Sequence, residues 1–235
     1  MSWREKYLNQ IVCGDCLELM PELPDKCVDI VITDPPYFLP ARHYGARKYF
    51  PRTLSDISIL DFYFKHFAVG LDRLLKSTGT LYMFCDGQSY PVFYAILYSY
   101  FKSLRPLVWD KLTSINGYGW RHQHELIIYA ERDEAKPIPT GDGDILKCRA
   151  VKIDDREHPA EKPEGIITAL MLKSSQPDDV VADFYCGTGV VPKVAKLNNR
   201  NFIGIDIDPG YCEIARKRLA QEVLITPAPA GREEE

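Results

Sequence analysis

The chain has 235 residues, of which 46% are hydrophobic and 26% charged, and its formal net charge of −4 corresponds to a pI near 5.8. That is enough apolar material for one sizeable core, and too little positive charge to coat nucleic acid by bulk attraction. No run of about eighteen or more apolar residues suggests a membrane span and Met1–Lys6 does not read as a signal peptide, so a cytoplasmic protein with no membrane partner is expected.

The seven cysteines (Cys13, Cys16, Cys27, Cys85, Cys148, Cys186 and Cys212) are odd in number and lie mostly in apolar segments, as buried reduced thiols do. Cys13 and Cys16 form a lone CxxC with no second pair; His122 and His124 are the further ligands that keep a zinc site open, and no metal is expected.

In chain order, Gln10–Cys13 reads as a first strand, and the apolar run Val28–Thr33 as a second. That second run stops at Asp34 Pro35 Pro36 Tyr37, because proline has no N–H for a ladder and fixes φ near −65°. Taken alone, the four letters read first as a strand followed by a proline-rich turn. A carboxylate and an unpaired carbonyl at a strand end also suit the two hydrogens of an exocyclic NH2, with a tyrosine beside them to stack on a ring.

From Pro35 to Ser55 there is no acidic residue, while Arg42, His43, Arg47, Lys48 and Arg52 alternate with Tyr44, Tyr49 and Phe50. Interleaved cations and aromatics suit phosphates and unstacked bases; a solvated loop is the equal alternative. Beyond it, Ser58–Lys76 and Ser89–Phe101 carry apolar residues at helical spacing, and Thr80–Cys85, Pro106–Trp109 and Glu125–Tyr129 read as strands. Residues 132–157, rich in Pro, Gly and Asp, break the pattern. Glu164–Ser174, Val191–Leu197 and Pro209–Val223 read as helices around strands Val180–Asp183 and Phe202–Asp206.

Strands alternating with helices predict an α/β fold with a mostly parallel seven-stranded sheet and helices on both faces. One domain over 1–225 is expected, with insertions at 38–57 and 132–157 and a disordered tail over 226–235.

The run Val180 Val181 Ala182 Asp183 Phe184 Tyr185 Cys186 Gly187 Thr188 Gly189 is a strand entering a glycine turn and then a helix, a pattern that lets backbone approach a nucleotide. Nineteen residues past Gly187, the next strand ends at Asp206, where a doubly wound fold places an acid on ribose hydroxyls. A dinucleotide fingerprint wants a third glycine at 192, and that residue is Pro192, which supplies no N–H for a pyrophosphate. S-adenosylmethionine has no phosphate, so the departure favours it over NAD.

With the amino-group motif at 34 and the glycine turn at 187, the chain resembles the permuted β group of amino-methylating DNA methyltransferases over residues 8 to 222. His158 Pro159 Ala160 Glu161 Lys162 Pro163 is similar to that family's His-Pro-Thr-x-Lys-Pro segment, Gly14 Asp15 to its first strand end, and Trp109 Asp110 Lys111 with His124 Glu125 to its sheet-closing hairpin. Phe38, Ala160, Phe184 and Val190 depart from the usual Asn, Thr, Pro and Thr.

The resemblance implies a Rossmann-like S-adenosylmethionine-dependent fold in circularly permuted motif order. It implies catalysis by Asp34, Pro35, Pro36 and Tyr37, and methylation of adenine N6 in a short sequence of double-stranded DNA after base flipping. Cofactor contacts are implied at Asp15 (adenine), Cys16, Asp34, Pro159, and Lys162 with His158 (these two at the methionine end). Further ones are implied at Asp183, Tyr185, Cys186, Gly187, Gly189, Asp206 (ribose) and Ile207, and DNA contacts at the basic loop residues. A homodimer would extend the contact surface; a restriction endonuclease partner is not legible in the sequence. Cytosine N4 methylation, a catalytically weak DNA-binding module of the same fold, an RNA or protein methylase and a Rossmann oxidoreductase are the rival readings.

Overall fold

The computed structural model describes residues 1–36, 57–113, 119–135, 141–151 and 161–221. Tyr37, the five basic loop residues Arg42, His43, Arg47, Lys48 and Arg52, the pair His158 and Pro159, and the 226–235 tail lie outside these.

Eight strands form one sheet among the described residues: β1 (Gln10–Cys13), β2 (Val28–Thr33), β3 (Leu75–Cys85), β4 (Ser103–Asp110), β5 (His124–Glu131), β6 (Ile145–Lys147), β7 (Val180–Asp183) and β8 (Asn201–Asp206). Their spatial order is β1-β8-β7-β2-β3-β5-β4-β6, and β5 alone runs antiparallel to its neighbours. Runs of β-branched residues closed by Gly, Asp or Pro place β1, β2 and β7 at the residues the sequence predicts.

The pattern predicts seven strands. The eighth, β6, lies in the 132–157 segment and adds in parallel to the edge of β4, with Val108 opposite Ile145 and Asp110 opposite Lys147. Three residues are too few to show an alternation.

Helices α1 (Trp3–Tyr7), α2 (Cys16–Leu19), α3 (Ile57–Leu74), α4 (Tyr90–Leu97), α5 (Glu164–Ser174), α6 (Val190–Leu197) and α7 (Pro209–Ala220) cover the sheet. The second predicted helix ends early, because the Leu97 carbonyl takes the N–H groups of Tyr100 and Phe101 at 2.9 and 3.2 Å. No helix among the described residues is long and apolar enough to cross a membrane.

β2 is buried on both faces, as a central parallel strand must be. Val28 and Val31 pack with Phe64, Phe67 and Leu71 of α3 in one core, while Ile30 and Ile32 pack with Ile167 of α5 and Val194 of α6 in the other. Each such aliphatic side chain contributes about 1.5–3 kcal/mol by leaving water.

This packing fixes where a ligand can sit. From β2 the chain crosses by α3 to β3 on one side, and from β7 it crosses by α6 to β8 on the other, so the connections diverge between β7 and β2. A crevice opens at the carboxyl ends of strands where crossovers part in this way.

The turn after β7 is shaped by the same packing. Gly187 and Gly189 adopt φ of +49° and +81°, and a Cβ on Gly189 would lie 2.8 Å from the Cβ of Ala215 in α7. Pro192 packs on Gly204 of β8, where a Cβ would lie 3.1 Å from the proline Cγ, so the proline at the third glycine position serves the core. Gly189→Ala should cost about 2 kcal/mol or more in urea unfolding, from left-handed backbone strain and the clash with α7; wild-type stability in that variant would show that the turn relaxes freely.

Candidate active site

The two motifs the sequence sets far apart meet at the crevice. Residues Ile30 and Val31 of β2 stand opposite Val181 and Ala182 of β7, and just beyond them Thr33 Oγ1 donates to Asp183 Oδ1 at 2.9 Å. Asp34 follows Thr33 and Pro35 is buried behind it, so the amino-group motif and the glycine turn share one wall.

Asp34 is held by Lys162. The Lys162 ammonium, 9% exposed, lies 2.7 Å from Asp34 Oδ2 and 3.0 Å from Glu125 Oε2, and 5.0 Å from the Phe84 ring centroid. Burial works against its charge, but Asp34 first and Glu125 next more than offset that and hold its pKa above the ordinary lysine value. The resemblance assigns this lysine to the methionine end of the cofactor; in the structure its ammonium is on the carboxylate of the amino-group motif.

On the cofactor side, Asp206 Oδ2 accepts from the Gly187 N–H at 2.7 Å and its Oδ1 from the Asp208 N–H at 2.9 Å. Those bonds fix the turn against the end of β8 and set a carboxylate beside it, the acceptor type that ribose hydroxyls need. At Gly187 an added Cβ would meet nothing within 4 Å, so the turn fronts open space that a ligand could enter. With no phosphate donor at Pro192, that cradle fits a nucleoside without a pyrophosphate. Asp15 caps α2 by accepting from the Leu17 N–H at 2.9 Å, and Ile207 is 69% exposed beside Asp206.

Three predicted contacts have their side chains elsewhere. Cys16 is buried, with its sulfur 3.7 Å from the Tyr63 hydroxyl, and burial pushes the thiol up to about 11. The Tyr185 hydroxyl donates to that same Tyr63 oxygen at 2.9 Å, and its ring packs edge-on against Phe67. Cys186 is buried in the core beside Gly204, and burial holds its thiol well above the usual range, so it is no nucleophile.

Other residues at the site were not given roles by the sequence. Glu161 accepts from Arg218 of α7 at 2.9 Å, and the Thr188 hydroxyl of the glycine turn lies 3.4 Å from Glu161 and 3.3 Å from Arg218, so the closing segment is joined to the turn. Lys111, 2.5 Å from Glu125, completes the charged row behind Asp34. Both Lys111 and Glu125 belong to the hairpin motif read in the sequence, and their charge at strand ends was the available signal.

Comparison with known proteins gives a consistent picture. The family model N6_N4_Mtase, described as DNA methylase, matches residues 28–217. The type II methyltransferase M.HinfI of Haemophilus influenzae is 27% identical across 92% of this chain and 69% of its own length. M.HpaI of Haemophilus parainfluenzae is 26% identical across 91% and 75%. Among solved structures, the PvuII DNA methyltransferase, described as cytosine-N4-specific, superposes with a TM-score of 0.73 at 16% identity, over 90% of this chain and 86% of that one. The M1.HpyAVI–SAM complex gives 0.67 at 22% identity, over 89% and 98%. Both share the fold, and the predicted α/β class with a mostly parallel sheet holds.

Asp183 carries the site's clearest pH signature. Burial, with like charge from Asp34 and Asp206, raises its pKa from 3.8 to about 7 against the opposing bonds from Tyr185 N and Thr33. Between those two values the folded state binds a proton that the unfolded chain has released, so this group makes wild-type stability fall as pH rises from 3.8 to about 7. Asp183→Asn cannot ionise and escapes that loss. The melting temperature of D183N relative to wild type should therefore be more favourable at about pH 8 than at about pH 5; a difference that does not move with pH would refute the raised pKa.

Proposed function

The chain belongs to the N6_N4_Mtase family of DNA methylases, and from that premise we propose that it transfers a methyl group from S-adenosylmethionine to the exocyclic N6 of adenine within a short site in double-stranded DNA. The observation that carries the reading is the carboxylate of Asp34, fixed by a buried ammonium at the end of β2 and adjoining the glycine turn of β7.

The exocyclic amine is a poor nucleophile because its lone pair is delocalised into the ring. In this reading Asp34 and the Pro35 carbonyl accept its two hydrogens, which localises the lone pair towards the incoming methyl group, and Tyr37 stacks on the base. S-adenosylmethionine supplies an electrophilic methyl on a cationic sulfur. The N–C bond forms as the S–C bond breaks, the positive charge moves to nitrogen, and the product amine sheds one proton. The chain contributes position and charge, with no covalent enzyme intermediate.

Asp206 with the 187–189 turn would hold the ribose side of the cofactor, and Asp15 and Ile207 the adenine side. His158 and Pro159 keep their proposed place in the segment that closes over it. An amine inside a duplex is out of reach, so the target base is flipped from the stack. Arg42, His43, Arg47, Lys48 and Arg52 supply the phosphate contacts that position it.

Adenine is favoured by the Asp that opens the Asp-Pro-Pro-Tyr motif, since serine there marks many cytosine N4 enzymes of the family. Cytosine N4 is the second reading, because its amine has the same geometry and a cytosine-N4-specific enzyme shares the fold. Incubation with unmethylated plasmid and S-adenosylmethionine, followed by mass spectrometry of the nucleosides, should yield N6-methyldeoxyadenosine. N4-methyldeoxycytidine would replace the first reading by the second, and no methylated nucleoside would sink both. Asp34→Ala should abolish turnover while calorimetry still detects cofactor binding.

A further inference from the structure

Behind Asp34 lies a row of alternating charges that reaches the β4–β5 hairpin. Lys162 sits between Asp34 and Glu125, and Glu125 sits between Lys162 and Lys111, with separations of 2.7, 3.0 and 2.5 Å along the row. The side chains of Asp34, Lys162, Glu125 and Lys111 are 24%, 9%, 21% and 15% exposed. Glu125 Oε2 is sealed from solvent and meets Lys162 as an ion pair. Lys162 and Lys111 rest near the Phe84 and Trp109 rings. Glu125 faces Trp109 across the hairpin, and the Lys111 N–H closes on the Gln123 carbonyl at 2.9 Å, so the row is anchored in backbone pairing.

We propose that Glu125 is a positioning residue for methyl transfer, acting through Lys162 on Asp34, with Lys111 holding Glu125 in place. The inference rests on the reading that Asp34 receives the target amine. A buried ammonium facing a single carboxylate would move between its two oxygens and compete with the amine for their lone pairs. Glu125 pulls on the far side of that ammonium and keeps it on Oδ2, which sets the plane of the Asp34 carboxylate. It also takes a share of the ammonium's charge, so Asp34 stays a stronger acceptor than it would be in an isolated pair. Burial works against the Glu125 charge, but Lys162 first and Lys111 next overcome it and hold its pKa below the usual glutamate value.

Glu125→Gln keeps the shape and removes the charge. On unmethylated plasmid its kcat should fall roughly 10- to 100-fold, the usual cost of disturbing a group that orients a reacting one. The KM for DNA and the calorimetric Kd for S-adenosylmethionine should stay within about twofold of wild type. Lys111→Met should lower kcat in the same selective way, and Lys111→Arg should recover at least half of it. The proposal is overturned if E125Q keeps wild-type kcat, if its loss appears equally in the cofactor Kd and DNA KM, or if K111R falls as far as K111M. Failure of both E125Q and K111M to fold would assign the row to stability and overturn it too. An active wild type with an unaffected E125Q removes this inference alone, whereas a wild type that methylates no DNA removes the reading beneath it.

Discussion

The molecule is organised by the contact between β2 and β7, two parallel strands whose chain connections leave in opposite directions. Each carries its own carboxylate at its end, and the hydrogen bond from Thr33 to Asp183 ties the two ends together. Helix α3 and helix α6 are thereby sent to opposite faces, and the gap between their paths cannot be filled by either. Every proposed step needs the cofactor turn and the amino-group motif within one methyl group's reach of each other. This strand pairing sets the two side by side at neighbouring strand ends.

Negative charge collects at that gap. Asp34, Asp183 and Asp206 gather at neighbouring strand ends, and Asp183 responds by taking up a proton far above the usual carboxylate range. Of these acids it is Asp34 that the buried ammonium of Lys162 pairs with, and Glu125 is its other carboxylate partner. A concentration of acidic groups there suits a ligand that is positive at its reacting atom and disfavours one carrying phosphates, which agrees with a glycine turn whose third position is given over to Pro192 and the packing of β8.

Much of this was legible in the sequence, and the reasons differ by element. β1, β2 and β7 are short runs of β-branched residues bounded by residues that stop strands, so local chemistry fixes their limits. The motif order, with Asp34 at one strand end and the 187–189 turn at another, follows from such local signals. β6 escaped because three residues show no period and its stability comes from the β4 edge. The direction of the Cys16, Tyr185 and Cys186 side chains escaped because a turn does not declare which core its side chains will enter. The partner of Lys162 escaped for a related reason: Asp34 and Glu125 reach it from distant strands, and no spacing rule connects them. The N-cap that Asp15 supplies to Cys16–Leu19 escaped as well, because four residues are too few to show a helical period.

The edge of the sheet has a consequence for how the protein comes into being. Gln10 to Cys13 lie in register with Ile203 to Asp206, so among the described residues β1 is paired with β8, a strand made long after it. On a ribosome that strand must wait until β8 emerges, as must β2 for β7 on its other side. The hairpin strands and the helices on their side find partners early, from residues close in sequence. The cleft at the ends of β2, β7 and β8 is completed only when β8 joins, so a chain synthesised short of β8 holds parts of the site without yet having the site.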